Sequence, residues 1–313
     1  MGKTESLWPQ GSPWDLADDA AYRSWRDQKL EQAAELLEQS DPVEIADLSH
    51  LSAAEHDELF RRCEISNAAF YRDMQQTGAP ERISEKLRHF AANLGLRIAE
   101  KHRSAGKDGI VSLQVSDSPS QKGYIPYSTR PMNWHTDGYY NAPDQKIRAM
   151  VLHCVRAAEH GGVNQIFDPE VAYIRLRDEN PDFIAALMHP QAMTIPENVE
   201  SNGKVRPVSI GPVFQIAPDT DKLEMRFTAR TRSIEWRDDP VTKAAVDFLN
   251  SVLKSDDPLI QTIRMEDGIG LLCNNSLHNR TGFDADKETT SKRLMMRVRF
   301  HNRVMERRKN GET

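Results

Sequence analysis

The stretch IRAMVLHCVRAAEHGGVNQIF, residues 147–167, decides the fold. An apolar run from Ile147 to Val155 gives way to a polar segment ending in Gly161-Gly162, and a second short run, Val163–Phe167, follows. Runs this short, bounded by turn residues and rich in β-branched side chains, read as buried strands rather than helices. The same texture recurs at Ile110–Val115 upstream and at Val208–Ile216, Leu223–Thr228, Ile260–Met265, Gly270–Cys273 and Leu294–Phe300 downstream. Many short strands separated by Pro, Gly and Asn argue for a β-sandwich or barrel, not a parallel α/β sheet.

Before Gly109 the periodicity is helical. Apolar stripes predict helices from Ala20 to Gln39, over about 52–75 (Leu59, Phe60, Cys63, Phe70), and over about 80–103 (Ile83, Leu87, Phe90, Leu94, Ile98). Residues 1–18 read as an extended arm that Trp8 and Trp14 pin to the body or swap onto a neighbour, the one hint of a homo-oligomer. Two helical insertions interrupt the strands. One opens at Asp168-Pro169-Glu170, a capping carboxylate followed by Pro, and continues after Asn180-Pro181; the other covers about 240–254. The division expected is a helical accessory region, 1–108, packed on a catalytic core, 109–303, with a charged tail, 304–313.

Bulk properties remove several functions. A net charge of −6 over 313 residues leaves no basic footprint for nucleic acid. No stretch approaches the roughly 18 apolar residues of a membrane span, and the N-terminus has no apolar signal core. Cys63, Cys154 and Cys273 form no paired spacing, which suits a reducing compartment. A cytoplasmic protein acting on a small molecule is the expectation.

The chemistry concentrates in three segments. In Asn133-Trp134-His135-Thr136-Asp137-Gly138, His135 and Asp137 lie two apart on an extended chain and point to one side. An imidazole and a carboxylate aimed at one point are two thirds of the facial triad of non-haem Fe(II) oxygenases. Chance also produces H-x-D often. The second segment, Leu271–Arg280, runs an apolar strand into Asn274-Asn275 and then to His278, a third ligand or simply a surface histidine. In the third, Lys292–Arg299, Arg293, Arg297 and Arg299 share one face while Leu294, Met296, Val298 and Phe300 form an apolar opposite face. That arginine face looks either into solvent or into a pocket for carboxylates, which guanidinium forks bind in pairs.

Together, WHTDGYYN, GGVNQ, NNSLHNRTGF and KRLMMR resemble the taurine dioxygenase / aryloxyalkanoate dioxygenase family of 2-oxoglutarate-dependent oxygenases, in order and approximate spacing, over about residues 110–303. The resemblance implies an α+β chain with a double-stranded β-helix (jelly-roll) core, a helical N-terminal region and helical insertions. It implies Fe(II) held by His135, Asp137 and His278, with 2-oxoglutarate as co-substrate and O2 as oxidant. Arg293 matches the arginine that binds the distal carboxylate of 2-oxoglutarate. Arg297 matches the position near the anionic group of the substrate. Asn164 stands where the family usually has a threonine on that carboxylate, and an amide can also donate to it. The activity implied is hydroxylation or oxidative cleavage of a small anionic substrate, releasing succinate and CO2.

Other substrate contacts come from position alone. Tyr139 shares the parity of His135 and Asp137 if the chain stays extended through Gly138. Tyr127 lies in a polar loop upstream of the site. Arg226 belongs to a second basic face, with Arg230 and Arg232, that is either a solvated edge or a pocket wall. Rival readings are a zinc hydrolase using the same His/Asp/His set, a binding protein that kept the fold, and a tailoring hydroxylase of an amino acid or carrier-bound intermediate.

Overall fold

A computed structural model describes residues 11–304 except 77–78, 98, 101–108, 119–120, 122–123, 200–202, 204 and 285–292. Trp8, Ile98, His102, Lys122-Gly123, Lys292 and the tail beyond Val304 therefore lie outside the described residues.

Ten strands form two main sheets: β1 (Val43–Ile45), β2 (Ala68–Asp73), β3 (Val111–Leu113), β4 (Met132–His135), β5 (Ala149–Arg156), β6 (Val163–Phe167), β7 (Gln261–Arg264), β8 (Ile269–Cys273), β9 (Leu277–Arg280) and β10 (Leu294–Phe300). One sheet has the order β1-β2-β8-β5-β10-β3 and the other β7-β6-β9-β4, and every pairing except β1–β2 is antiparallel. From β3 onward the chain alternates between the sheets, save for the β6-to-β7 step within one of them.

The continuous apolar run that marked Ile147–Val155 has a plain cause: β5 sits mid-sheet with both faces covered. Met150, Leu152 and Cys154 join Phe70, Leu271 and Met295 inside. Val151 faces the other way with Leu272, Met296, Val298 and Phe300, against Leu59 and Cys63 of helix α2 (Ala53–Ser66) and Leu87 and Phe90 of α3 (Pro80–Asn93). Gly270 of β8 stands opposite Tyr71 of β2 because only a bare Cα fits there; an added Cβ would lie 2.1 Å from the buried ring.

The N-terminal region differs from its purely helical reading. The helix expected over 52–75 stops at Ser66, where Asn67 takes a left-handed conformation (φ 56°) and returns its N–H to Cys63. The chain then extends as β2, so Phe70 belongs to a strand and two N-terminal strands complete the larger sheet. The helix expected over 80–103 ends at Asn93, before Gly95 (φ 74°). Helix α1 (Asp19–Glu38), capped by the Asp18 carboxylate, packs with Trp14 onto α4 (Pro169–Glu179). Trp14 thus pins its arm to the chain's own body. His56 of α2 is also buried.

The inserted helices form one block rather than two: α4, α5 (Pro181–Leu187) and α6 (Pro240–Val252) all fall between β6 and β7 and pack together. No described helix is long and apolar enough to cross a membrane.

His153, on β5, is buried between the Tyr71 hydroxyl (3.2 Å) and Gln76 (2.8 Å). Burial, then Lys86, pushes its imidazole down to about 4 from 6.5. Below pH 6.5 the unfolded chain takes up a proton that the folded core refuses, so stability present above 6.5 is lost as pH falls toward 4. Denaturant midpoints should fall across that window, and more shallowly in His153→Gln, whose stability at neutral pH is already lower. Gly270→Ala should cost about 1–3 kcal/mol by overpacking, read from the same melts.

Candidate metal centre

β4 and β9 pair so that His135 stands directly opposite His278, with ring centroids 4.2 Å apart. Each ring donates Nδ1–H to the carbonyl two residues before it: His135 to Asn133 (2.9 Å) and His278 to Ser276 (3.0 Å). That fixes the tautomer and leaves both Nε2 lone pairs for a ligand. Burial first, and then the partner His278, pushes His135 down to about 3; burial lowers His278 as well. Both rings are neutral near pH 7, the form a metal requires.

Asp137 follows His135 on an extended chain. Thr136 faces the opposite way and is locked by a reciprocal pair of bonds with Phe227. Asn275, at φ 53° in the turn before β9, accepts from Asp137 N–H (2.7 Å) and donates to the Asp137 and Ile147 carbonyls. One amide thereby ties the carboxylate's backbone to the loop that delivers His278.

The carboxylate itself is divided. Oδ1 accepts from Arg297 (3.2 Å) and Arg299 (3.4 Å), while Oδ2 is buried with no partner. Burial alone would raise this acid, but Arg297 and Arg299 outweigh it and hold it below the usual carboxylate range. Ligand atoms of His135, Asp137 and His278 all lie within 4.8 Å of one another. An orphaned, ionised oxygen beside two free imidazole nitrogens fits a divalent metal with open coordination positions.

The arginine face expected on β10 is buried. Arg297 and Arg299 turn inward to Asp137, and Arg299 also pairs with Glu100 and reaches the Tyr140 hydroxyl (3.2 Å). The Nε of Arg297 is buried without a partner. Arg293 lies against the Phe283 ring, 4.8 Å to its centroid, and beside Gly162. Asn164, inward on β6, donates to the Gly162 carbonyl (3.1 Å).

Three expected substrate contacts change meaning. Arg226 is neither solvated nor free: its guanidinium donates to the carbonyls of Tyr139, Met193, Gly211 and Ser209, tying the insertion to the metal-site turn. Burial pushes it down to about 10. Tyr139 does not continue the extended chain, because Gly138 turns it (φ 66°); yet the ring lies edge-on to His135, 6.3 Å away, with its hydroxyl held by Arg230 (2.9 Å). Tyr127 turns into the apolar interior with Leu113, Leu152 and Met295. A cavity of about 150 Å³ opens between the Asp137 turn, Ile147 and residues 209–215 of the insertion. Neither His135 nor His278 lines it, so it flanks the metal centre.

Asn275 and the Asp137–Arg299 pair escaped the sequence reading. Adjacent asparagines before a histidine signalled only a turn, and Arg299 showed its parity but not its partner.

The chain is similar to several known proteins. A uridine-5'-phosphate dioxygenase from an Amycolatopsis species is 27% identical over 239 residues, 71% of this chain and 81% of that protein. Among solved structures, the non-haem iron oxygenase OrfP in complex with Fe is similar at a TM-score of 0.60, with 16% identity and 81% of each chain covered. An asparagine oxygenase in complex with Fe(II), 2S,3S-3-hydroxyasparagine and succinate has a TM-score of 0.57 and 12% identity, covering 86% of this chain and 89% of that one. The family model "Taurine catabolism dioxygenase TauD, TfdA family" matches residues 12–299, well into the N-terminal region where the sequence had offered no likeness. The chain belongs to that family and is a non-haem iron, 2-oxoglutarate-dependent oxygenase that uses Fe(II), 2-oxoglutarate and O2.

Proposed function

We propose that His135, Asp137 and His278 hold Fe(II) at one end of a jelly-roll barrel, and that the enzyme hydroxylates or oxidatively cleaves a small anionic molecule with release of succinate and CO2. The two sheets, with eight strands in the orders β3-β10-β5-β8 and β4-β9-β6-β7, suit a double-stranded β-helix. The observation that carries the reading is that ligand atoms of His135, Asp137 and His278 lie within 4.8 Å of one another, with both Nδ1 atoms occupied by carbonyls and Oδ2 of Asp137 buried without a partner.

When bound, Fe(II) with 2-oxoglutarate and O2 supplies a C–H oxidant. The chain's own residues do the placing. Arg293, with Asn164 across the interior, receives the distal carboxylate of 2-oxoglutarate. Arg297, with one pair on Asp137 and a buried Nε to spare, receives an anionic group of the substrate beside the metal. Tyr139 forms the wall next to His135. Burial of the ligands and arginines keeps water from the reacting centre. Uridine 5'-phosphate carries a phosphate, and the amino acids bound in the structural neighbours carry a carboxylate. Either would meet Arg297, and nucleoside monophosphates and amino acids are the first classes to screen by succinate release.

Anaerobic titration of Fe(II) with 2-oxoglutarate should give the weak visible band of the chelate, and Asp137→Ala or His135→Ala should lose both the band and turnover. A band retained in both variants would remove the ligand assignment. Arg293→Ala should weaken 2-oxoglutarate by about 1.5–3 kcal/mol, roughly tenfold to a hundredfold. Unchanged co-substrate affinity in that variant would move the role to another residue.

A further inference from the structure

Arg280 has no part in the reading above, yet it is placed as a ligand-binding residue would be. It follows His278 by two positions on β9 and so turns to the same inward side. The residue is 6% exposed. Its Nη2 donates to the carbonyls of Ser128 (3.1 Å) and Arg130, while its Nε is buried with no partner. Its guanidinium lies 4.8 Å from the centroid of the Phe283 ring, the same distance as that of Arg293. Two buried cations share one ring.

Tyr127 adds a second unfilled donor. It precedes Ser128, which Arg280 holds, and is 6% exposed. Its hydroxyl is buried with no partner, and its side chain belongs to the same interior cluster as Cys154 of β5 and Met295 of β10, two residues on from Arg293. Asn164 stands opposite Arg280 in the β6–β9 pairing. Arg280 and Arg293 thus share the Phe283 ring, Asn164 pairs opposite Arg280, and the Tyr127 segment is tied to Arg280 through Ser128. Buried donors and like charges persist where a ligand of opposite charge completes them.

We propose that Arg280 and Tyr127 are co-substrate-binding residues, donating from Nε and from the phenol to the distal carboxylate of 2-oxoglutarate alongside Arg293. The proposal rests on the assignment of that carboxylate to Arg293 above. It changes the expected role of Tyr127 from substrate to co-substrate.

The test compares 2-oxoglutarate with 2-oxopentanoate, the same carbon chain without the second carboxylate. Both are titrated anaerobically into the Fe(II)-loaded full chain, following the visible band, for wild type, Arg280→Gln and Tyr127→Phe. Arg280→Gln should weaken 2-oxoglutarate roughly tenfold to a hundredfold, and Tyr127→Phe by up to about tenfold, with 2-oxopentanoate unchanged in both. Equal weakening of both acids would make Arg280 a staple for the 128–130 loop and overturn the proposal, as would unchanged 2-oxoglutarate affinity. Should Arg280→Gln fail to fold, Tyr127→Phe removes one oxygen only and carries the same comparison. A wild type with no band for 2-oxoglutarate would overturn the Arg293 assignment and this proposal together; a band indifferent to both variants overturns this proposal alone.

Discussion

Everything at the metal centre depends on the register between β4 and β9. Side chains alternate along a strand, so a slip of one residue would turn His135 and Asp137 away from His278 together. Asn275 guards that register. Its amide engages Asp137 from both sides, N–H and carbonyl, and also holds Ile147 at the entry to β5. The left-handed conformation of Asn275 starts β9 in the phase that places His278 opposite His135. One residue therefore couples the turn, the pairing and the placement of the three proposed ligands.

Charge is balanced around Asp137 with equal economy. A buried carboxylate is costly unless paired. Here Arg297 and Arg299 neutralise one oxygen, and Glu100 in turn balances Arg299. The second oxygen is left unpartnered. Were both oxygens paired, the site would be a structural ion cluster. Were neither, burial would protonate the acid. The arginine parity visible on β10 is thus a requirement of the carboxylate as much as of any substrate.

Much of this was legible in sequence because it rests on periodicity. The strands after Gly109, the capped start at Asp168-Pro169 and the common face of Arg293, Arg297 and Arg299 follow from alternation and caps. What escaped depends on contacts between distant segments. No local signal told that Ala68–Asp73 would leave a helical pattern for a central strand; Asn67, which stops the helix, reads as an ordinary polar residue. Arg226 was open between a solvated edge and a pocket wall because its four carbonyl partners are spread over residues 139–211. Tyr139 reached His135 by a turn at Gly138, not by the extended chain that its parity assumed.

The N-terminal region is bound into the site by the same logic. The Asn67 carbonyl accepts from Asn274 N–H and from the Ser276 hydroxyl, and the Ser276 carbonyl receives Nδ1–H of His278. The Asn67 amide donates to Asp168 and accepts from Arg303. Asp168 caps α4 and, with Glu170, encloses Lys29 of α1. Burial would strip the Lys29 charge, but the two carboxylates outweigh it and raise the ammonium to about 12. A buried ion cluster of this kind is weak evidence for stability and stronger evidence for a fixed arrangement. What it fixes is the junction of α1, α4, β2 and the loop that aims His278. Asn67 and Lys29 therefore help to place His278 rather than merely cover the sheet.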